Sequence, residues 1–324
     1  MKKNIAVVMG GYSSEKEISR KSGAVVAKHL DASKYAIYPI HITKSSWFFE
    51  NSEGECIAID KSDFSLTVDN KKIYFHCVFN AIHGTPGEDG LLAAYFELIG
   101  IPHTSCDYYQ AALTFNKRDL LSVLKPYGIA CAKSYFINKG DSINEEEIVN
   151  IVGLPCFVKA NKAGSSFGIS KVYEKEKLTQ AIEKSFAEDD EIIIESFLEG
   201  TEVSVGVLTY EGEIKVLPVT EIVSENDFFD YEAKYLGQSQ EITPARITNE
   251  QLQMLQDVAS KIYRVLKLKG YSRSEFIFVN NIPHLLEVNT TPGLTEESIL
   301  PQQAAQANIS LAQLFESAIT EALR

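Results

Sequence analysis

Short apolar runs alternate with helical stripes along this chain. Residues 5–9 form a continuous, β-branched run, as in a strand covered on both faces, which feeds Gly10-Gly11-Tyr12-Ser13-Ser14 before a helical pattern sets in. Ser14 and Glu17 stand in capping-box spacing, and Ile18, Ser22, Val25, Val26 and Leu30 follow at helical intervals, predicting a strand-turn-helix unit. Further strands are expected at residues 36–42 and 75–82, with a helix over 91–98. Strand alternating with helix argues for an α/β unit built on a parallel sheet.

The texture changes near residue 112. A helical stretch over 117–124 ends at Pro126 and Gly128, and strand-like runs at 134–137, 156–160, 169–173 and 192–197 then flank helices rich in Glu and Lys. That composition suits a smaller α+β module. Strands are expected at 203–208 and 214–223, followed by residues 224–243 without regular periodicity. A segment that long inside a compact chain is more often a lid or binding loop than filler. A helix over 249–266, strands over 275–279 and 283–288, and a helix over 311–323 close the sequence. At 324 residues the chain exceeds what one core usually supports, so two or three units are expected, the changes of texture dividing it as 1–112, 113–201 and 202–324.

Composition removes several function classes. A formal net charge of -13 would repel a nucleic-acid backbone, whose binding needs clustered Lys and Arg. The five cysteines, with no C-x-x-C pair and an odd total, suggest neither a zinc site nor a disulfide framework. The first apolar run is too short for a signal-peptide core or a membrane span, so a cytoplasmic protein without a membrane partner is expected.

Three segments could carry chemistry. In Lys159-Ala160-Asn161-Lys162-Ala163-Gly164-Ser165-Ser166-Phe167-Gly168, a lysine ends an apolar strand before a small-residue loop. Backbone N–H groups in such a loop can approach phosphate oxygens while the lysine supplies positive charge, although a glycine-rich hairpin with its lysine in solvent fits the same residues. Glu275 is set beside Glu287 and Asn289 on the next strand, and side chains of the right phase across a strand pair share a face. Three oxygen ligands there would suit Mg²⁺; an exposed strand followed by a plain turn is the alternative. The third, His83-Gly84-Thr85-Pro86-Gly87-Glu88-Asp89-Gly90, lies at a strand's C-terminal end, where open α/β sheets bind ligands, though a lone histidine beside a turn is more often structural. Glu15 is equally open, since acidic residues belong at a helix start. Gly10-Gly11-Tyr12-Ser13-Ser14 lacks the G-x-G-x-x-G of dinucleotide-binding dehydrogenases.

Together these segments, with Met9 to Glu15 and Tyr231-Glu232-Ala233-Lys234-Tyr235, resemble the D-alanine–D-alanine ligases of the ATP-grasp type nearly end to end. The resemblance implies a three-domain ATP-grasp fold in a homodimer, with ATP between the central and C-terminal domains. On its pattern Lys117 and Lys159 bind nucleotide phosphates, Ser165 and Ser166 cover them, Glu195, Phe197, Leu198, Glu202 and Phe228 surround adenosine, and Lys234 also belongs to the ATP site. Glu275, Glu287 and Asn289 would bind Mg²⁺, with Mn²⁺ as substitute; the family usually has Asp where Glu275 stands. Arg273 and the Gly293 N–H would stabilise an oxyanion, Glu15 and His83 would serve the first D-alanine, and Ser298 would hold the carboxylate of the second. The implied reaction phosphorylates the carboxylate of one D-alanine and lets the amine of another attack the acyl phosphate. Acceptors such as D-lactate or D-serine are the alternative within the same chemistry, and a nucleotide-binding regulator that has lost it is the alternative outside.

The lid tyrosine Tyr235 is expected to reach towards Ser165 and Glu15 and to favour a dipeptide product. Tyr235→Phe should leave ATP binding intact and slow ligation; wild-type turnover in that variant would remove the role.

Overall fold

Residues 2–51, 53–164, 168–224 and 239–324 are described in a computed structural model. Strand β1 (Lys3–Gly10) leads through a glycine turn into helix α1 (Lys16–His29) and returns as β2 (Tyr35–Ile42). The run then continues through β3 (Trp47–Glu50), β4 (Cys56–Asp60), β5 (Ser65–Val68), β6 (Lys71–Ile73) and β7 (Cys77–Asn80). β1 lies between β2 and β7 and is parallel to both, as the apolar runs predict; β3 to β6 add an antiparallel ribbon beyond β2 that they do not announce. The expected capping box at Ser14 is not formed. Glu15 is the N-cap residue without a side-chain cap, and its N–H donates instead to Ser13 Oγ at 3.3 Å.

Helices α2 (Leu91–Leu98), α3 (Tyr108–Phe115) and α4 (Lys117–Leu124) follow, so residue 112 falls inside a helix. The central unit is an antiparallel sheet of β8 (Ser134–Asn138), β9 (Cys156–Ala160), β10 (Ser170–Val172) and β11 (Glu191–Ser196), in the order β10-β9-β11-β8. Helices α5 (Glu145–Val152) and α6 (Leu178–Ser185) cover it around a core that includes Ile148, Val158, Ile182 and Ile194.

The last unit starts with β12 (Thr201–Tyr210), which pairs with β13 (Glu213–Val216), β14 (Thr220–Ser224) and β16 (Tyr271–Val279); β15 (Ser239–Ile242) pairs with β14 and β17 (Ile282–Asn289) with β16. The expected single strand at 214–223 is therefore two, and 239–242, expected to be irregular, is a strand. Helix α7 (Asn249–Val265) carries a full capping box between Thr248 and Gln251. It packs with α4 on the sheet face formed by Val203, Val205, Val207, Phe276 and Phe278. Helices α8 (Ile299–Gln306) and α9 (Leu311–Ala322) pack on the opposite face, where Leu300 lies against Gly206 and Leu314 and Phe315 share a core with Leu208 and Tyr271.

The first and last units share one core. Ile5, Val7 and Phe79 of the first sheet are buried with Leu300, Leu314 and Phe315 of α8 and α9. The Phe79 and Phe315 rings meet edge to face at 5.6 Å, which adds about 0.5–1.5 kcal/mol to plain burial. Phe315→Ala should cost about 3–5 kcal/mol and leave urea unfolding of the two units as one transition. A loss below about 1 kcal/mol would contradict the shared core.

Candidate active site

A strand hairpin makes the floor of the site. Across β16 and β17, Arg273 stands opposite Asn289 and Glu275 opposite Glu287, so all four side chains share a face. The register slips by one residue after Glu275, leaving Leu286 without a partner. That bulge lets Leu285 and Val288, three residues apart, both enter the core while Glu287 and Asn289 face the other way. Arg273 Nη2 donates to Glu275 Oε1 at 2.7 Å with both side chains nearly buried, and the buried Arg273 Nε has no partner. Glu275 does not line the cleft itself.

The first sheet supplies the opposite wall through loops at the C-terminal ends of β1 and β7, the usual ligand side of parallel strands. Gly10 and Gly11 both have positive φ, and a Cβ on Gly11 would lie 2.6 Å from Ile82 Cγ2. Only glycine passes there. Ser19 Oγ accepts from Gly10 N and donates to Ala81 O, each at 2.8 Å, which locks the two loops together. Glu15 sits at the mouth, close enough that a Cβ on Gly164 would lie 2.8 Å from its Oε2. His83 is buried, with Nδ1 2.8 Å from Thr291 O and Nε2 3.0 Å from Ser22 Oγ. Burial, against the opposing pull of Glu15, holds its pKa below the ordinary imidazole value.

From the central unit, Lys159 Nζ pairs with Glu195 Oε2 at 2.8 Å and lies 5.3 Å over the Phe157 ring. It is not the solvated lysine of a bare hairpin. Burial works against its charge, but Glu195, with Glu287 and Glu202, outweighs it and holds the ammonium above the usual lysine range. Glu195 Oε1 is buried without a partner. Phe197 lies 6.2 Å from Phe157, under the ammonium of Lys171 at 4.1 Å. Lys117, at the start of α4, donates to Ala163 O at 2.9 Å and stands 3.4 Å from Glu287 Oε2.

The structure thus gathers Glu15, His83, Lys117, Arg273, Glu287, Asn289, Gly293 and Ser298 around one cleft of about 640 Å³. Lys159, Glu195, Phe197, Leu198 and Glu202 are not among the cleft's lining residues; Lys159 and Glu195 are paired at the junction of β9 and β11. Ser165, Ser166, Phe228, Lys234 and Tyr235 lie outside the described residues. Five charged cleft residues were given no role from sequence: Lys21, Glu88, Glu241 on β15, Glu296 and Glu297. Burial first, then the charge of Glu15, pushes the Glu88 carboxyl up to about 8, and its Oε2 accepts from Gly84 N at 2.9 Å. The four-residue spacing of Gly84 and Glu88 was its only trace in the sequence. Among the described residues no three His, Cys, Asp or Glu side chains cluster as a metal site; the expected ligands Glu275, Glu287 and Asn289 share one face of the hairpin, with Glu275 Oε1 accepting from Arg273 and Asn289 Oδ1 from Thr291 N at 2.8 Å.

The model for the D-Ala-D-Ala ligase C-terminus matches residues 123–320, and that for the N-terminus matches residues 4–106. The chain belongs to the D-alanine–D-alanine ligase family. D-alanine–D-alanine ligases of Flavobacterium johnsoniae and Christiangramia forsetii are 66% and 61% identical over 98% and 100% of this chain, and over 98% and 99% of their own. Among solved structures, the D-Ala:D-Ser ligase VanG of Enterococcus faecalis is 33% identical with a TM-score of 0.86 and covers 99% of this chain and 100% of its own. The Bacillus anthracis D-alanine–D-alanine ligase complexed with ATP is 27% identical with a TM-score of 0.80, over 99% and 98%. The fold is the three-domain ATP-grasp arrangement.

In this ligase-family chain the Arg273–Glu275 pair sits where neither charge can be left alone. Glu275→Gln should cost about 3–5 kcal/mol in urea unfolding and lower Mg²⁺-dependent turnover. Full Mg²⁺-dependent turnover would remove Glu275 from the metal set.

Proposed function

We infer that the chain joins two D-alanine molecules into D-alanyl-D-alanine at the expense of ATP, as a step of peptidoglycan precursor synthesis. The observation that carries this reading is the single face of Arg273, Glu275, Glu287 and Asn289, met across the cleft by Glu15 and Lys117. The cleft is lined by six glutamates and three cations, Lys21, Lys117 and Arg273. A polyphosphate enters such a site only with added positive charge, which fits a hard cation held by Glu287, Asn289 and the Glu275 carboxylate. Mg²⁺, or Mn²⁺ in its place, when bound supplies charge neutralisation for phosphoryl transfer.

The chain's own residues do the rest. Lys117 and Lys159 position the phosphates, and Glu195 offers its unpartnered oxygen to the adenine amine, with Phe197, Leu198, Glu202 and Phe228 around the base. Glu15 holds the ammonium of the first D-alanine with its carboxylate turned to the γ-phosphate. Arg273 and the Gly293 N–H receive the oxyanion that forms when the second amine attacks the acyl phosphate, and the unpartnered Arg273 Nε supports that assignment. Ser298, at the N-terminus of α8 and 2.8 Å from Thr295 Oγ1, takes the carboxylate of the second D-alanine, where the helix dipole favours an anion. Ser165, Ser166, Lys234 and Tyr235 lie outside the described residues, and on the family's pattern they serve ATP binding and keep water from the acyl phosphate.

No helix among the described residues is long and apolar enough to cross a membrane, and substrates made and used beside ATP suit a cytoplasmic enzyme. Exposed Leu91 and Leu98, on one face of α2, adjoin exposed Tyr108 and Tyr109 at the start of α3; this apolar patch suits a homodimer contact. Phosphate release from ATP tests the reaction: D-alanine should stimulate it many-fold and L-alanine should not. Release independent of D-alanine would overturn the reading.

A further inference from the structure

The loop that carries Gly293 and Ser298 hangs from the first unit by a buried relay. Leu294 N–H donates to Ser22 Oγ at 3.2 Å, Ser22 Oγ lies 3.0 Å from His83 Nε2, and His83 Nδ1 lies 2.8 Å from Thr291 O. A carbonyl only accepts, so Nδ1 carries the ring proton. With burial keeping the ring neutral, Nε2 accepts from the Ser22 hydroxyl. The hydroxyl therefore donates to the histidine and accepts from the loop, and His83, expected to serve the first D-alanine, has no ring nitrogen free to meet it.

Ser22 is fully buried on α1, one turn past Ser19, which ties the β1 and β7 loops. The same helix thus fixes the floor of the first-substrate wall and the loop opposite. Gly293, one residue before the relay's amide, has no slack: a Cβ there would lie 2.7 Å from Ser298 Oγ. At the outer end Glu296 meets Lys28 and His29 at 3.2 Å, but exposed pairs of that kind hold a loop weakly. The buried relay is the stronger tie.

We propose that Ser22 is a positioning residue for the acceptor half of the reaction, setting Gly293 N–H and Ser298 through Leu294 and His83, an inference which rests on the ligase reading above. Ser22 touches no substrate. Removing its hydroxyl orphans the Leu294 N–H and the His83 Nε2 lone pair, so the loop relaxes at Leu294, while Thr291 keeps its bonds to His83 Nδ1 and Asn289 Oδ1 and holds the metal-ligand end in place.

The two halves can be read separately in the full-length protein. Hydroxylamine attacks the acyl phosphate carbon in place of the acceptor amine, releasing phosphate and leaving a hydroxamate; at a concentration where this trapping outruns acyl-phosphate formation, the hydroxamate rate reports the first half alone. Ser22→Ala should lower kcat/KM for the acceptor D-alanine about tenfold while hydroxamate formation stays within about twofold of wild type. Ser22→Thr, which keeps the hydroxyl, should recover most of the loss. Should the alanine variant fail to fold, Ser22→Cys, of similar size and weaker hydrogen bonding, is expected to give the same split. Equal losses in both halves, or an unchanged acceptor kcat/KM, would overturn the positioning role. Absence of any D-alanine-dependent phosphate release by the wild-type protein would instead sink the ligase reading.

Discussion

Two strands near the end of the chain must serve a core and a cleft at once, and one extra residue makes that compatible. Without the bulge at Leu286, strict alternation would put Leu285 and Val288 on opposite faces, and either the core or the polar set would be broken. With it, Leu285 and Val288 join Phe276 under α7, while Arg273, Glu275, Glu287 and Asn289 stand together above. The hairpin, not a loop, therefore fixes the spacing of the charged groups. A rigid floor of this kind can hold phosphates and a developing oxyanion in one geometry, which positioning chemistry requires.

The same face of β12 and β16 changes character along its length. Glu202 and Ser204 lie beside Glu275 at the cleft end, whereas Leu208 and Tyr271 at the other end enter the core shared with the first sheet. Sealing that end with α8, α9 and the first sheet ties the Glu15 and His83 loops to the floor they face. The central unit has its own core, so the nucleotide-side residues Lys159 and Glu195 are borne by a separately packed sheet. A cleft between two such bodies can exclude water around a reactive acyl phosphate without disturbing the floor.

Much of this was legible in order and spacing. The run at 5–9 is the central parallel strand, the lysine before the small-residue loop ends a strand, and Glu287 and Asn289 do share a face with Glu275. What could not be read has physical reasons. The ribbon β3 to β6 is built from strands of three to five residues, mostly half-buried or exposed, whose apolar stretches, such as Trp47-Phe48-Phe49, are too brief to stand out from a loop. α8 carries Pro301 in its first turn, where a helix tolerates proline but a sequence pattern reads a break. The bulge hides in Leu285-Leu286-Glu287-Val288, whose hydropathy fits no simple alternation. Ser22 and Thr291 meet His83 from positions 61 and 208 residues away, and no local pattern reports such contacts.

The central claim is that this cleft activates a carboxylate by phosphorylating it. The direct measurement uses D-alanine carrying ¹⁸O in its carboxylate and follows the label through one turnover. Attack of the carboxylate on ATP followed by displacement at carbon must carry one labelled oxygen into each inorganic phosphate released. Inorganic phosphate free of label, alongside dipeptide formation, would contradict the account.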